Sequence, residues 1–291
     1  MRGSAWPAGE LAPYPRCDPG PLGLRLPADT RASAALPVGV RLEFTGACEA
    51  VEITVRTETR ELGYRGTDAG RAVVYLPEGM RPRVLAFGAL GGAIAPAPRD
   101  PRWLCYGDSI AEGWCASEPA GAWPHVAARE HGLDVVNLGY AGAARGEIAS
   151  AEEIAQLPAD AISIAHGTNC WARTPHSAEL FAAGLRAFLA IVRGAHPRTP
   201  IVAISPILRA DAEHAPNKLG ATLADLRSAF EAVIEQRRAA GDAALTLVRG
   251  LALVPRERLP DGIHPDDAGH VLMARALGPV LRAALEGAPH A

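Results

Sequence analysis

The sequence predicts an α/β protein in two parts: a small antiparallel β-sandwich, then a larger five-stranded parallel sheet covered by helices on both faces. Short alternating apolar runs dominate residues 35–95, whereas apolar strands alternate with helical segments after Pro101. Two glycines and three prolines in 91–101 predict a connector between the parts. We therefore expect domains at 1–98 and 99–291. Since 48% of the residues are hydrophobic, both can form a core.

The first part is predicted to be β only, with no helix before Asp100. Its runs alternate apolar and polar residues, as half-buried strands do, and turn-forming residues at 45–47, 66–70 and 77–79 separate them. The predicted strands are Val38–Phe44, Val51–Val55, Val73–Leu76 and Val84–Phe87.

The second part alternates continuous apolar strands with longer helical segments, which is typical of a buried parallel sheet. The acidic residues Asp266 and Asp267 give the last helix a credible start. The predicted strands are Trp103–Tyr106, Asp134–Leu138, Ala161–Ala165, Ile201–Ile204 and Leu245–Val248. The predicted helices are Trp123–His131, Ser177–Gly194, Leu219–Ala240 and Asp266–Leu285.

Composition excludes several classes of function. A net charge of −3 without a basic stripe argues against nucleic-acid partners, and no apolar stretch reaches membrane-spanning length. The five cysteines are odd in number and form no Cys-x-x-Cys pair, which argues against a disulfide framework or structural zinc. With no apolar signal segment in residues 1–20, we expect a reducing, cytoplasmic setting. The oligomeric state is left open.

Polar motifs follow the first three strands of the predicted sheet, and a fourth precedes the last helix. The carboxyl ends of parallel strands meet at one edge of a sheet, where ligand sites form. We therefore expect these motifs to lie close together. They are Gly107-Asp108-Ser109, Asn137-Leu138-Gly139-Tyr140-Ala141-Gly142, Gly167-Thr168-Asn169 and Asp261-Gly262-Ile263-His264.

These motifs supply the parts of a serine mechanism. Ser109 is the candidate nucleophile, His264 the base that takes its proton, and Asp261 the carboxylate that orients the imidazole. The N–H groups of Ser109 and Gly142 and the amide of Asn169 are candidate oxyanion donors. Glycine at 142 suits a close approach of the backbone to a substrate.

In this order, Ser109, Gly142, Asn169 and His264 resemble the SGNH or GDSL hydrolase superfamily, with Gly-Asp-Ser-Ile in place of Gly-Asp-Ser-Leu. The resemblance runs from Trp103 to the last helix. It implies a three-layer α/β/α, flavodoxin-like fold and esterase, lipase, thioesterase or acyltransferase chemistry without a metal or other cofactor. A preceding sandwich, jelly-roll-like, is similar to those of certain carbohydrate esterases and of acyltransferase-like proteins of secondary metabolism.

Several neighbouring residues have two interpretations. Trp114 and Trp171 lie just beyond a motif and could line a substrate pocket or belong to the core. Arg145 could contact an anionic group of the substrate or form a surface salt bridge. His166, beside the Asn169 motif, is interpreted as structural rather than as a second base.

Two further interpretations concern acidic residues and histidines. Asp108 is expected to cap the turn after Ser109 through backbone N–H groups. The histidines and aspartates around His264, which include Asp266, Asp267 and His270, resemble a metal-ligand set, but a helix start accounts for both aspartates. No metal site is predicted.

The leading hypothesis is an esterase that cleaves a short, acetyl-like ester of a sugar or small molecule through an acyl-enzyme on Ser109. The alternative is an acyltransferase of secondary metabolism that uses the same three residues. A third hypothesis, a carbohydrate-binding module without catalysis, is disfavoured because Ser109, His264 and Asp261 are all present. The expected partner is a small-molecule ester.

Overall fold

A computed structural model of the chain, which describes residues 1–9, 11–47, 50–57 and 72–287, confirms the five-stranded parallel sheet. Its order is β10-β9-β8-β6-β7, so the chain passes from β6 to the edge strand β7 and then continues on the other side of β6 with β8, β9 and β10. This is the flavodoxin-like order 2-1-3-4-5, whose ligand site lies where the direction reverses. The strands are β6 Arg102–Gly107, β7 Asp134–Gly139, β8 Ala161–Ala165, β9 Ile201–Ile204 and β10 Leu245–Val248.

Helices cover both faces of this sheet and complete the three layers. One hydrophobic core lies beneath α4, α6 and α7, and a second beneath α3 and α8. The helices are α1 Ala28–Ala34, α2 Ser109–Glu112, α3 Trp123–His131, α4 Ile148–Gln156, α5 Thr168–Trp171, α6 Ala178–Ala195, α7 Leu223–Ala239 and α8 Asp267–Glu286. In the part of the chain that the structure describes, none of them is both long and apolar enough to cross a membrane.

The predicted helices differ from the observed ones mainly at their starts, where polar caps set the boundary. Ser177 and Asp266 lie just outside α6 and α8, and each accepts a backbone N–H of the first turn. Thr222 forms a capping box with Asp225, so α7 begins at Leu223 instead of Leu219.

The first part contains two small antiparallel sheets, ordered β3-β1-β5 and β2-β4, as the sequence predicts. The rings of Phe44 and Phe87 meet edge to face at 5.0 Å between these sheets. The predicted turn at 66–70 lies outside the described residues. The strands are β1 Arg41–Ala47, β2 Ala50–Arg56, β3 Ala72–Tyr75, β4 Arg83–Leu90 and β5 Ala93–Pro96.

Three predictions for the region before Asp100 are wrong, and α2, α4 and α5 are absent from the predictions. The turn predicted at 45–47 is instead the end of β1, because these residues pair with β5. The helix α1 forms although its sequence lacks an apolar stripe, because Thr30, Ser33 and Ala34 are buried by tertiary packing. The strand β5 lies within the predicted connector and pairs with β1, where an edge position tolerates Pro96.

Residues before β1 pack against the parallel-sheet part of the molecule. Cys17, Leu26 and Ala34 belong to the same hydrophobic core as α4 and α6. Arg16 is fully buried, and its guanidinium donates to the carbonyls of Asn137, at 3.2 Å, and Gly139, both in β7. The predicted division after residue 98 stays a proposal, and these contacts cross it.

We expect Arg16→Met to lower the free energy of unfolding by about 3–5 kcal/mol, because it leaves a buried carboxylate, Glu112, without its cation. Urea denaturation measures the change. Arg25→Met is the control: Arg25 pairs with Glu152 at the surface, and its loss is expected to cost less than about 1 kcal/mol. Equal losses in the two variants would contradict the assignment.

Buried histidines make the stability sensitive to acid. Burial lowers the pKa of His166 and of His125 to about 3. A histidine with a depressed pKa contributes stability that is present above its unfolded pKa of about 6.5 and is lost as the pH falls toward 3. His166 lies among aromatic rings, with Phe181 at 5.5 Å and Phe188 at 5.9 Å.

We expect the free energy of unfolding of the His166→Phe variant to depend less on pH in acid than that of the wild type. Between pH 6 and 4 the free energy of unfolding should fall about 1.4 kcal/mol per pH unit less steeply than in the wild type. Denaturation at a series of pH values measures the slope. Phe188→Leu, in the same aromatic cluster, should destabilise equally at every pH, and parallel curves for His166→Phe would refute the assignment.

Candidate active site

Ser109 follows the end of β6 and is the first residue of α2. Asp108 caps this helix by accepting the N–H of Ile110 at 2.9 Å, as predicted. Burial raises the pKa of Asp108 to about 6, and the bond from Ile110 opposes that rise. A Cβ on Gly107 would lie 2.6 Å from the Cβ of Ala111, so only glycine permits this tight turn.

The structure brings Ser109, His264 and Asp261 into one hydrogen-bonded chain. His264 Nε2 lies 2.8 Å from Ser109 Oγ, and His264 Nδ1 lies 2.6 Å from Asp261 Oδ2. Ser109 and His264 are separated by 155 positions in sequence, and the loop before α8 carries the histidine to the end of β6. This is the geometry in which a base can take a proton from a serine hydroxyl.

Asp261 is held ionised by the same loop. Its Oδ1 accepts the backbone N–H groups of Ile263, at 2.9 Å, and His264, at 2.7 Å. Partial burial acts to raise the pKa of Asp261, but the hydrogen bonds from His264 and Ile263 outweigh it and lower the pKa to about 2. The carboxylate therefore carries its charge at neutral pH and can orient the imidazole.

The three candidate oxyanion donors lie on the segments that follow the neighbouring strands β6, β7 and β8. Among the described residues, neither the N–H of Ser109 nor that of Gly142 has a hydrogen-bond partner. Gly142 adopts φ +71°, which favours glycine. Asn169, at the start of α5, donates from Nδ2 to Ala143 O at 2.6 Å, so its amide is tied to the Gly142 loop. Nδ2 has a second N–H for an oxyanion.

Glu112, three residues after Ser109, links α2 to this loop and was missed by sequence reasoning. Its Oε2 accepts the N–H of Ala141 at 3.0 Å, the hydroxyl of Ser33 at 2.7 Å and the guanidinium of Arg16 at 3.3 Å. Its Oε1 accepts the indole N–H of Trp114 at 3.2 Å. The only signal in the sequence is a carboxylate one turn after the serine, on a buried helix.

The three predicted pocket residues have different environments. Trp114 is 47% exposed, and its ring lies 5.6 Å from that of His264. Trp171 is half-buried, and the Cζ of Arg209 lies 4.9 Å from its ring centroid. Its indole N–H donates to Ala215 O. Arg145 binds Asp29 through two hydrogen bonds of 2.8 and 2.9 Å. Arg145 thus forms a partly buried ion pair, and its contact with an anionic group of the substrate stays a prediction.

One group of described side chains, Cys115, Asp261 and His264, has metal-ligating atoms within 4.8 Å of one another. However, the nitrogen and oxygen that join His264 and Asp261 are only 2.6 Å apart. Ligands of a tetrahedral zinc ion with bonds of about 2.0 Å are about 3.3 Å apart. Burial and the charge of Asp261 raise the pKa of the Cys115 thiol, which also disfavours a metal thiolate. The arrangement fits a hydrogen-bonded triad better than a metal site.

The acidic residues that follow His264 stabilise the helix start. Asp266 caps α8 by accepting the N–H of Gly269 at 2.8 Å, which confirms its predicted role. Asp267 accepts the N–H of Ser117 at 2.7 Å. His270 is buried in α8, with Nε2 3.1 Å from Trp114 O.

His166 is buried behind the Asn169 motif. Within the described part of the chain its Nδ1 has no hydrogen-bond partner. A small cavity of about 20 Å³ lies beside His166, Asp108 and Ser205, with room for one water molecule. Because no chain of hydrogen bonds in the described residues joins His166 to Ser109, the geometry favours the structural interpretation.

The comparisons with known proteins agree with this architecture. A salicylyl-acyltransferase, SsfX3, from a tetracycline biosynthetic pathway is 24% identical, with a TM-score of 0.80 over 98% of this chain and 94% of its own. A GDSL-like lipase from Bacteroides ovatus is 20% identical, with a TM-score of 0.74 over 98% and 95%. At these identities the likeness establishes the fold.

A family two carbohydrate esterase from Clostridium thermocellum, solved with cellohexaose, is 15% identical, with a TM-score of 0.60 over 84% of this chain and 92% of its own. A comparison with curated protein sequences gives no match. The sequence model of the GDSL-like lipase/acylhydrolase family matches residues 105–272, more than half of the chain. The span begins in β6 and reaches α8. Because the match covers more than half of the sequence, the chain belongs to the GDSL-like lipase/acylhydrolase family of enzymes.

Proposed function

We propose that the protein is a serine esterase that cleaves a short-chain ester through an acyl-enzyme on Ser109. One observation carries the proposal: the continuous hydrogen-bonded chain of Asp261, His264 and Ser109, with contacts of 2.6 and 2.8 Å. Membership of the family supports the reaction class.

In the first half of the proposed reaction, Ser109 Oγ attacks the ester carbonyl while its proton moves to His264 Nε2. Asp261 stabilises the resulting imidazolium through Nδ1. The N–H groups of Ser109 and Gly142 and the amide of Asn169 donate to the developing oxyanion. Such a donor commonly contributes about 3 kcal/mol in the transition state. The imidazolium then gives its proton to the departing alcohol.

In the second half, water attacks the acyl-enzyme. His264 takes the proton of the water and returns it to Ser109 Oγ, and the acid is released. The site needs no metal for these steps, because His264 supplies the base and the oxyanion donors supply the electrostatic stabilisation.

The short acyl group is proposed because the sequence shows no long apolar lid segment. One feature supports a sugar or other small alcohol. Trp114 offers an exposed aromatic face beside His264, of the kind against which the C–H face of a sugar packs. The carbohydrate esterase solved with cellohexaose has the same fold, which is an argument by analogy only.

An acyltransferase with the same three residues is the second candidate. It is favoured by the likeness to the salicylyl-acyltransferase, which extends over 98% of this chain and so includes the first part as well as the parallel sheet. The two candidates differ only in whether water or an alcohol reaches the acyl-enzyme. A cytoplasmic location remains part of the proposal, supported by the buried free thiols of Cys17, Cys105 and Cys170.

We expect Ser109→Ala to reduce the hydrolysis of p-nitrophenyl acetate at least about a thousandfold, because it removes the nucleophile. Rates on the acetate, butyrate and octanoate esters give the chain-length profile, and intact-protein mass spectrometry detects the acyl adduct on the wild type. A stable adduct with turnover only in the presence of an alcohol would favour the acyltransferase. Full activity in the Ser109→Ala variant would exclude both candidates.

We expect Asp261→Asn to reduce kcat by about four orders of magnitude, because an amide at this position favours the wrong imidazole tautomer. The matched control is Cys115→Ser: Cys115 Sγ lies 3.9 Å from Asp261 Oδ2, and its replacement should change kcat by less than about twofold. Loss of activity in Cys115→Ser, or on treatment with a chelator, would instead indicate the metal site.

A further inference from the structure

Three arginines contact the segments that carry Gly142 and Asn169, and their charges are compensated differently. Arg145 is paired with Asp29, and Arg209 with Asp211 at 2.9 Å. Arg173 forms no ion pair or side-chain hydrogen bond with another described residue, and it is exposed. Its guanidinium is therefore the one of the three that is available to a ligand.

Arg173 contacts both Asn169 and Gly142, two of the residues that carry the proposed oxyanion donors. Its backbone N–H donates to Asn169 O at 3.2 Å, in the turn that ends α5. Its guanidinium lies over Gly142: a Cβ on that glycine would be 3.0 Å from Arg173 Cζ and 3.1 Å from Nε. The cation thus lies against the backbone of Gly142, the residue whose N–H donates to the ester oxygen in the proposed reaction.

The carboxylates of this edge already have their own donors. Asp261 accepts from His264, Glu112 from Arg16, and Glu147 from Tyr106 and Arg145. Asp108 is buried and caps α2. None of these described carboxylates pairs with Arg173, so its positive charge lies against the Gly142 loop without a carboxylate partner among them.

We propose that Arg173 binds a carboxylate of the substrate, and that the preferred esters carry this negative charge a few atoms from the scissile carbonyl. A guanidinium presents paired N–H donors that match the planar carboxylate group. The inference deepens the proposed function and rests on it. The carboxylate can belong to the acyl group or to the alcohol, and the two arms of the test distinguish these sources.

The test compares kcat/KM for neutral and anionic esters of equal length. For the acyl arm these are p-nitrophenyl pentanoate and mono-p-nitrophenyl glutarate. For the alcohol arm they are phenyl pentanoate and 4-carboxyphenyl pentanoate. Rates without enzyme are subtracted, because a neighbouring carboxylate can itself assist ester cleavage. We expect the wild type to prefer the anionic ester in one arm, with a preference that falls as the salt concentration rises.

Arg173→Gln should lower the ratio of anionic to neutral kcat/KM about tenfold in that arm, as expected for the loss of one charged hydrogen-bonded contact. Arg173→Lys should restore part of the ratio, and Arg173→Glu should lower it further. Arg198→Gln is the matched control: it removes an exposed arginine that precedes β9 and so lies at the opposite edge of the sheet.

The outcomes separate this inference from the proposed function. Hydrolysis of the neutral esters that depends on Ser109 but shows no preference for either anionic ester overturns the role of Arg173 alone. A preference that Arg173→Gln and Arg198→Gln reduce equally overturns it as well, because it would then reflect net charge. No turnover of any of the four esters and no acyl adduct would overturn the esterase proposal and this inference together.

Discussion

The close approach of α2 to the backbone of β7 is the constraint on which the site depends. A Cβ on Gly139 would lie 2.3 Å from the backbone nitrogen of Glu112, so the helix can lie this close only because the strand ends in glycine. On the other side, Gly107 admits the same helix against Ala111. The position of the serine hydroxyl is therefore set by two backbone contacts rather than by flexible side chains.

Because α2 lies so close to β7, the carboxylate of Glu112 can bind groups from several parts of the site. Its carboxylate binds the Gly142 loop through Ala141 N, the exposed Trp114 and the buried Arg16. Arg16 in turn binds the carbonyls of β7. Arg16 and Ser33, from the first 40 positions, thus contact the same carboxylate that binds the Gly142 loop.

A second buried carboxyl group, that of Glu78, lies within the first part. Glu78 accepts the N–H of Gly39 at 2.7 Å, and burial raises the pKa of Glu78 to about 8, against the opposing effect of that bond. Nearby, Arg41 of β1 pairs with Asp134 of β7 at 2.7 Å, and both side chains are buried. The first part is therefore joined to the parallel sheet by polar contacts that exclude water.

The parallel sheet and the order of its motifs could be predicted because they depend on local signals. Continuous apolar runs mark the buried strands, and the residues after them meet at one edge whatever the loops do. The helix α1 and the strand β5 could not be predicted, since their stability comes from partners far along the chain. Glu112 and Arg173 were missed for the same reason: nothing adjacent to them indicates that Arg16 and Gly142 lie beside them.

The exposure of the triad affects how the proposed acyl-enzyme would be consumed. The side chain of Asp261 is 44% exposed and the residue Trp114 is 47% exposed, so bulk water reaches two neighbours of His264. An alcohol acceptor competes with that water at every turnover, and an open site gives it no advantage through exclusion of solvent. Partitioning toward transfer would therefore require the acceptor to occupy the face of Trp114 for longer than the acyl-enzyme survives in water.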